Sequence, residues 1–429
     1  MPNETTLIAT IAAGLGLAFV FGFAAARLRV PPLVGYLLAG IVIGPFTPGY
    51  VADVPLASQL AEIGVILLMF GVGLHFSPRD LIAVRRLAIP GATVQIVAAT
   101  LLTAVILRFR GWTWSGGFVL GLALSVASTV VLLRALEQRG ALQSPDGRAA
   151  VGWLVVEDLV TVFILVLLPA LVTAPGQAVD RAAIARRGPL IAVGLALIKA
   201  AAFLVLMLFA GRRTIPRLLA AVAKVGSREL FTLAVIALAL CIAVGAAALF
   251  GVSFALGAFF AGVVIGESDL SHQAAADALP LRDAFAVLFF VSVGMLFDPR
   301  ILVDRPLDVL IVVAIIMVGK SAAALGIVLV LGRSLRTALF VAASLSQIGE
   351  LSFILAGLGM SLGILPAEGQ NLVLAGALVS ITVNPGMLGL ADRVAKLTVE
   401  DAEARGGPRF RGPPRASASS TVNSSSGAT

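Results

Sequence analysis

Two adjacent carboxylates, Glu157 and Asp158, stand inside the apolar run Trp153-Leu-Val-Val-Glu-Asp-Leu-Val-Thr-Val-Phe-Ile-Leu-Val-Leu-Leu-Pro169. A charged side chain at bilayer depth costs roughly 2.5–3.5 kcal/mol, and two side by side repel one another. Consecutive helical positions point about 100° apart, so the pair cannot both face lipid harmlessly. The chemistry open to them is reversible binding of a proton or a cation; the plainer reading is an ion pair locking two helices. Thr161, at i+4 and i+3, shares a face with both.

A cation sits in a comparable place. Lys320 lies in Ile315-Ile-Met-Val-Gly-Lys-Ser-Ala-Ala-Ala324, where small neighbours allow close helix approach. Its plausible partner is a carboxylate. One lysine set against Glu157 and Asp158 leaves a single net negative charge, which suits one monovalent cation or one proton.

Polar and small residues interrupt two further apolar runs, at Leu124-Ser-Val-Ala-Ser-Thr-Val130 and at Ser344-Leu-Ser-Gln-Ile-Gly-Glu-Leu-Ser352. Paired interruptions in two halves of a chain point to a transporter's binding site, since unwound backbone there exposes carbonyls and half-helix ends. Ordinary Ser/Thr packing between helices is the alternative. The candidate crossover residues are Ser125, Ser128 and Thr129 in the first, and Ser346, Gln347 and Glu350 in the second. Glu350 reads either as a buried anchor or as an accessory proton site. Glu62 reads as a solvated flank, and Lys199 as a side chain reaching the interface.

These residues need a membrane scaffold, and the composition supplies one. The chain has 429 residues, 59% hydrophobic and 13% charged, with a net charge of +8. Apolar runs of about 20 residues recur, and no sustained period-2 alternation argues for a barrel. The expected fold class is an all-α polytopic membrane protein with about 13 transmembrane helices. The expected spans are 6–26, 32–51, 56–76, 87–107, 116–137, 149–172, 188–210, 229–250, 252–267, 281–297, 307–331, 337–361 and 369–391. Lys and Arg lie between the runs, which makes them a topology signal and not a nucleic-acid footprint. With the N-terminus outside, 16 of them fall in cytoplasmic loops and seven in external loops, counted before the tail. The first run has no positive residue before it and Arg27 and Arg29 after it, the reverse of a secretory signal. The C-terminus is then cytoplasmic.

An internal repeat also shows. Gly35-Tyr-Leu-Leu-Ala-Gly-Ile-Val-Ile-Gly44 matches Gly257-Ala-Phe-Phe-Ala-Gly-Val-Val-Ile-Gly266, and Gly73-Leu-His-Phe-Ser-Pro-Arg-Asp-Leu81 matches Gly294-Met-Leu-Phe-Asp-Pro-Arg-Ile-Leu302. The offsets are 222 and 221 positions. They correspond to an odd number of spans, so the halves, about 1–210 and 229–391 with a basic linker between, insert with opposite orientation. The membrane domain is expected over 1–398, with a disordered cytoplasmic tail at 399–429. No strand–glycine-loop–helix unit follows, so no nucleotide-binding domain is expected. One cysteine, Cys241, and two distant histidines, His75 and His272, give no metal-ligand spacing, and no cofactor is expected.

Gly35-Tyr-Leu-Leu-Ala-Gly-Ile-Val-Ile-Gly-Pro45, Ser125-Val-Ala-Ser-Thr129, Glu157-Asp158, Lys320 and Ser346-Gln-Ile-Gly-Glu-Leu-Ser-Phe353 together resemble the monovalent cation:proton antiporter-2 family, over residues 5–395. That family includes sodium/proton antiporters and Kef-type potassium/proton exchangers. The resemblance implies a dimerisation domain, a mobile core domain and two broken helices crossing at the midplane, the sodium/proton antiporter fold. It implies a homodimer in the cell (inner) membrane, with Na+ or K+ and H+ as substrates. Asp158 would carry cation and proton, Glu157 would tune its charge, and Lys320 matches the lysine that pairs with that position. Glu157 departs from the Asp, Asn or Gln of many members by the longer side chain it brings. The metal this implies is a monovalent cation at Asp158 alone. Readings outside exchange are a potassium efflux channel, for which no Thr-Val-Gly-type filter run is present, and an ion-binding membrane sensor without turnover. An enzyme is not expected, since no Ser/His or His/Glu arrangement has catalytic spacing.

Overall fold

The computed structural model describes residues 6–75, 78–141, 144–171 and 189–404, and it contains helices and turns with no strand among them. The first half comprises α1 (Thr6–Arg27), α2 (Pro32–Ile43), α3 (Val54–His75), α4 (Pro78–Phe109), α5 (Trp114–Ser125), α6 (Thr129–Gln138) and α7 (Pro145–Leu171). Then α8 (Pro189–Leu206) passes through a π-helical turn at Met207–Gly211 into α9 (Arg212–Ala223). The second half comprises α10 (Arg228–Gly245) with a π turn at Ala246–Phe250, α11 (Phe254–Gly266), α12 (Ser271–Met295) and the short α13 (Ile301–Asp304). It continues with α14 (Pro306–Ala314), a π turn at Ile315–Gly319, α15 (Lys320–Val330), α16 (Leu335–Ser344), α17 (Glu350–Ser361) and α18 (Ala367–Ala404).

Several helices start where a hydroxyl accepts the free N–H groups of a first turn. Thr113 accepts from Gly116 N at 3.1 Å and opens α5, Ser227 opens α10, Ser253 opens α11, and Ser334 opens α16. Nine helical stretches among the described residues are long and apolar enough to cross a membrane. The expected thirteen is larger because the second, ninth and twelfth segments fold as apolar helices of 10 to 13 residues. The seventh begins at the margin of the described residues. α18 runs past the expected boundary at 398 to Ala404; residues 405–429, the basic loop residues Arg181, Arg186 and Arg187, and Phe76-Ser77 of the repeat lie outside the described residues.

The repeat explains how the halves pack. Gly40 of α2 lies against α12, where a Cβ would stand 2.9 Å from Gly294 Cα. Gly262 of α11 lies against α3, where a Cβ would stand 2.8 Å from Leu74 N and 3.0 Å from Gly73 C. The two contacts are the same one made twice, each half lending its glycine helix to the other half's partner. Only a residue without a side chain permits backbones so close.

This scaffold layer of α1–α3 and α10–α12 packs against a second group of α4–α7 and α14–α18. Phe290 of α12 meets Phe353 of α17 edge-on across the join, with ring centroids 6.3 Å apart. Trp153, fully buried, anchors the interior of the second group with Leu132, Leu154, Val328 and Val341.

Candidate functional site

Both predicted interruptions are breaks in helices, and they touch. Between α5 and α6 the backbone is extended at Val126–Ser128, and between α16 and α17 residues 345–349 leave the helix. Ser128 N donates to Gln347 Oε1 at 3.0 Å, and Gln347 Nε2 donates to Ser128 O at 3.1 Å. Ser352 Oγ donates to Val126 O at 3.3 Å. Gly349 makes room, since a Cβ there would stand 2.5 Å from Ser128 Cα. The sequence reason is local: Ser and Thr hydroxyls offer backbone groups alternatives to the helical ladder, and glycine weakens it further.

A break in a buried helix leaves N–H and C=O groups that need partners. Ala127 N donates to Glu157 Oε2 at 2.8 Å, so one member of the acidic pair caps the first break. Thr129, the first residue of α6, donates through Oγ1 to Asp158 Oδ2 at 3.0 Å. Ser128 Oγ donates to Glu350 Oε2 at 3.2 Å. On the carbonyl side, Lys320 Nζ donates to Gln347 O at 3.1 Å and Gln95 Nε2 donates to Ser125 O at 3.0 Å. Ser125 and Gln347 are 222 residues apart, so these bonds obey the repeat: each half caps its partly unwound helix with a nitrogen from a neighbouring long helix. The positive ends of α6 and α17 meet at the crossover with three carboxylates around them.

The acidic pair is unequal. Glu157 is 0% exposed, with Oε2 fixed by Ala127 and Oε1 without a hydrogen-bond partner. Asp158 retains 7% exposure. Lys320 is fully buried, yet neither carboxylate lies within 4.0 Å of it among the described residues. Its hydrogen bond goes to the second break, so the lysine holds the crossover directly.

Other sequence candidates fall less centrally. Thr161 Oγ1 donates to the Glu157 carbonyl at 2.8 Å within its own helix, and neither carboxylate receives it. Ser125 Oγ donates to Leu122 O and Ser346 Oγ to Ala343 O, both local. Glu62 and Lys199 are exposed. Among the described residues no three His, Cys, Asp or Glu side chains form a metal cluster. Three participants were missed. Gln95 accepts from Trp153 Nε1 at 3.3 Å while holding Ser125, and Asn384 Nδ2 donates to Ala343 O at 2.9 Å and Ser346 Oγ at 3.0 Å. Gly349 is the third. A lone amide in a membrane helix was the available signal for the first two.

A family model described as "Sodium/hydrogen exchanger, transmembrane" matches residues 15–391. A putative cation/proton antiporter YbaL of Escherichia coli (strain K12) is 59% identical over 394 residues, 92% of this chain and 70% of that protein. A K(+) efflux antiporter 4 of Arabidopsis thaliana is 32% identical over 380 residues, 88% of this chain and 62% of that protein. Among solved structures, the sodium proton antiporter MjNhaP1 from Methanocaldococcus jannaschii superposes with a TM-score of 0.63 at 16% identity, covering 90% of this chain and 97% of that one. The shared fold is that of a sodium/proton antiporter.

Proposed function

Because the chain belongs to the sodium/hydrogen exchanger family, we propose that it exchanges a monovalent cation, Na+ or K+, for protons by alternating access, with both substrates competing for Asp158. The observation that carries this reading is the inequality within the acidic pair. Glu157 is sealed and committed to a backbone N–H, while Asp158 stays partly accessible beside a hydroxyl.

Desolvation favours a neutral carboxyl and a nearby cation offsets it, so a single buried carboxylate takes either a proton or a metal cation but not both. Thr129 Oγ, at 3.0 Å from Asp158, is an oxygen that a dehydrated cation accepts in place of water. Glu350, bonded to Ser128, supplies a second carboxylate near the crossover. Movement of the group α4–α7 and α14–α18 against the scaffold would expose the loaded site to one side and then the other, driven by the proton gradient. In this reading the chain is a homodimer in the cell (inner) membrane, N-terminus outside and C-terminus cytoplasmic, following the arginine bias.

The test is reconstitution into proteoliposomes with an imposed pH gradient, comparing dissipation on addition of sodium, potassium or lithium. Wild type is expected to respond to at least one cation, and Asp158→Asn to none. Exchange by Asp158→Asn at the wild-type rate would overturn the assignment. Currents with no coupled proton movement would convert the reading to a channel.

A further inference from the structure

A second site lies away from the crossover. A cavity of about 340 Å³ is lined by Arg86, Leu87, Leu331, Gly332 and Arg333, where α4 begins its apolar stretch and α15 ends. The candidate spans run Arg85–Phe109 and Pro306–Val330, so both arginines stand at the edge of the hydrocarbon, at headgroup depth. Gly332, at φ +74, makes the turn that brings Arg333 back after α15.

Arginines at helix ends differ in their partners, and Arg27 and Arg108 have no carboxylate within 4.0 Å among the described residues. Arg110, Arg139, Arg212, Arg228 and Arg282 each have a carboxylate within 4.0 Å. Arg86 and Arg333 have none among the described residues, although they line one cavity. Two guanidinium groups facing a shared space repel each other unless an anion lies between them. Their planar donor forks match phosphate oxygens. The rim is apolar: Ile89 is 45% exposed, Val330 81% and Leu331 37%, a surface on which an acyl chain can lie.

We propose that this cavity binds the phosphate group of an anionic membrane lipid, with Arg86 and Arg333 on the headgroup and Val330 and Leu331 against a chain. Basic pockets between membrane helices at this depth take such headgroups. The depth and the apolar rim favour a lipid over a soluble phosphate. The pocket also sits at the far end of the helix that begins with Lys320, so an occupant would brace α15 on α4.

Native mass spectrometry of the full chain in detergent, with added phosphatidylglycerol or phosphatidylcholine, tests this. Wild type is expected to retain one phosphatidylglycerol per chain in preference to phosphatidylcholine. Arg86→Gln with Arg333→Gln is expected to bind about 30-fold more weakly, from about fivefold for each arginine near the surface. The double variant Arg217→Gln with Lys224→Gln, remote on α9 and just past its end, is expected to bind as wild type. Arg86→Lys with Arg333→Lys keeps the charge and guards against misfolding; it is expected to fall between. Equal retention by the Arg→Gln pair and wild type would overturn the proposal, as would equal retention of both lipids by wild type. Inorganic phosphate at millimolar concentration that stabilises the delipidated chain as much as phosphatidylglycerol would reassign the cavity to a soluble anion and overturn the lipid assignment.

Discussion

Gln347 grips Ser128 by both ends of its amide, accepting from the backbone N–H at 3.0 Å and donating to the carbonyl at 3.1 Å. These residues are 219 positions apart and on opposite halves of the repeat. The first bond satisfies the Ser128 N–H at membrane depth, where water is not available to do so, and the second adds to a carbonyl that also accepts from Leu132 N at 3.2 Å.

Gln347→Leu is therefore expected to destabilise the chain by about 1–3 kcal/mol, since the buried Ser128 N–H loses its partner. Gln347→Glu keeps the acceptor but sets a carboxylate against the Ser128 carbonyl, and is expected to lose exchange altogether. Thermal unfolding in micelles and proteoliposome exchange measure the two effects.

Gly349 admits the close approach on the other side of the same contact. Gly349→Ala is expected to push the breaks apart, because the obstruction at 2.5 Å is the Ser128 backbone and cannot rotate away. A loss of about 1–3 kcal/mol is the scale for overpacking. Gly357, inside α17 itself, has nothing within 4 Å of a Cβ, so Gly357→Ala is expected to be neutral or slightly stabilising. Equal losses of thermal stability at the two positions would contradict this picture.

Much of the site was legible because its members are anomalies in an apolar chain. Glu157, Asp158, Lys320 and the two polar interruptions stand out against hydrocarbon, and the repeat offset pairs the interruptions. What the sequence does not carry is direction. Lys320 reads as a counter-ion for the acidic pair, yet its ammonium is spent on the Gln347 carbonyl, because an unwound helix end is the nearer unmet demand. Thr161 shares a face with both acids but finds its own helix carbonyl first. The scaffold glycines announce themselves as a repeat, while their crosswise pairing, first half onto second, follows only from the packed structure.

Lys320 and Glu157 are both fully buried, with no ion pair of 4.0 Å or less between them. Removing one buried partner leaves the other uncompensated, at a cost of about 3–5 kcal/mol, whereas replacing both with apolar residues of similar volume is often close to neutral. Lys320→Met is accordingly expected to unfold at lower temperature than the double variant Lys320→Met with Glu157→Leu. A double variant whose loss equals the sum of the two single losses would show that the charges are independent.

Trp153 offers a last, sharper test, because its indole joins the first break to α4. Its N–H donates to Gln95 Oε1 at 3.3 Å, the amide's other end holds the Ser125 carbonyl, and two residues on the Ala127 N–H is capped by Glu157. The ring packs against Gly91, which has no side chain to obstruct it. Trp153→Phe keeps most of the ring but strands a buried amide oxygen, at about 1–3 kcal/mol. Gln95→Met removes the amide whole and leaves the Ser125 carbonyl unmet. Once Gln95 is gone the indole N–H no longer has that acceptor, so Trp153→Phe made in the Gln95→Met background is expected to cost less than it does alone. Full additivity of the two losses in thermal unfolding would mean that the indole and the amide support the site separately. A sub-additive double variant, with exchange impaired as much as in Gln95→Met alone, is the outcome that a single chain of bonds from Trp153 to Glu157 requires.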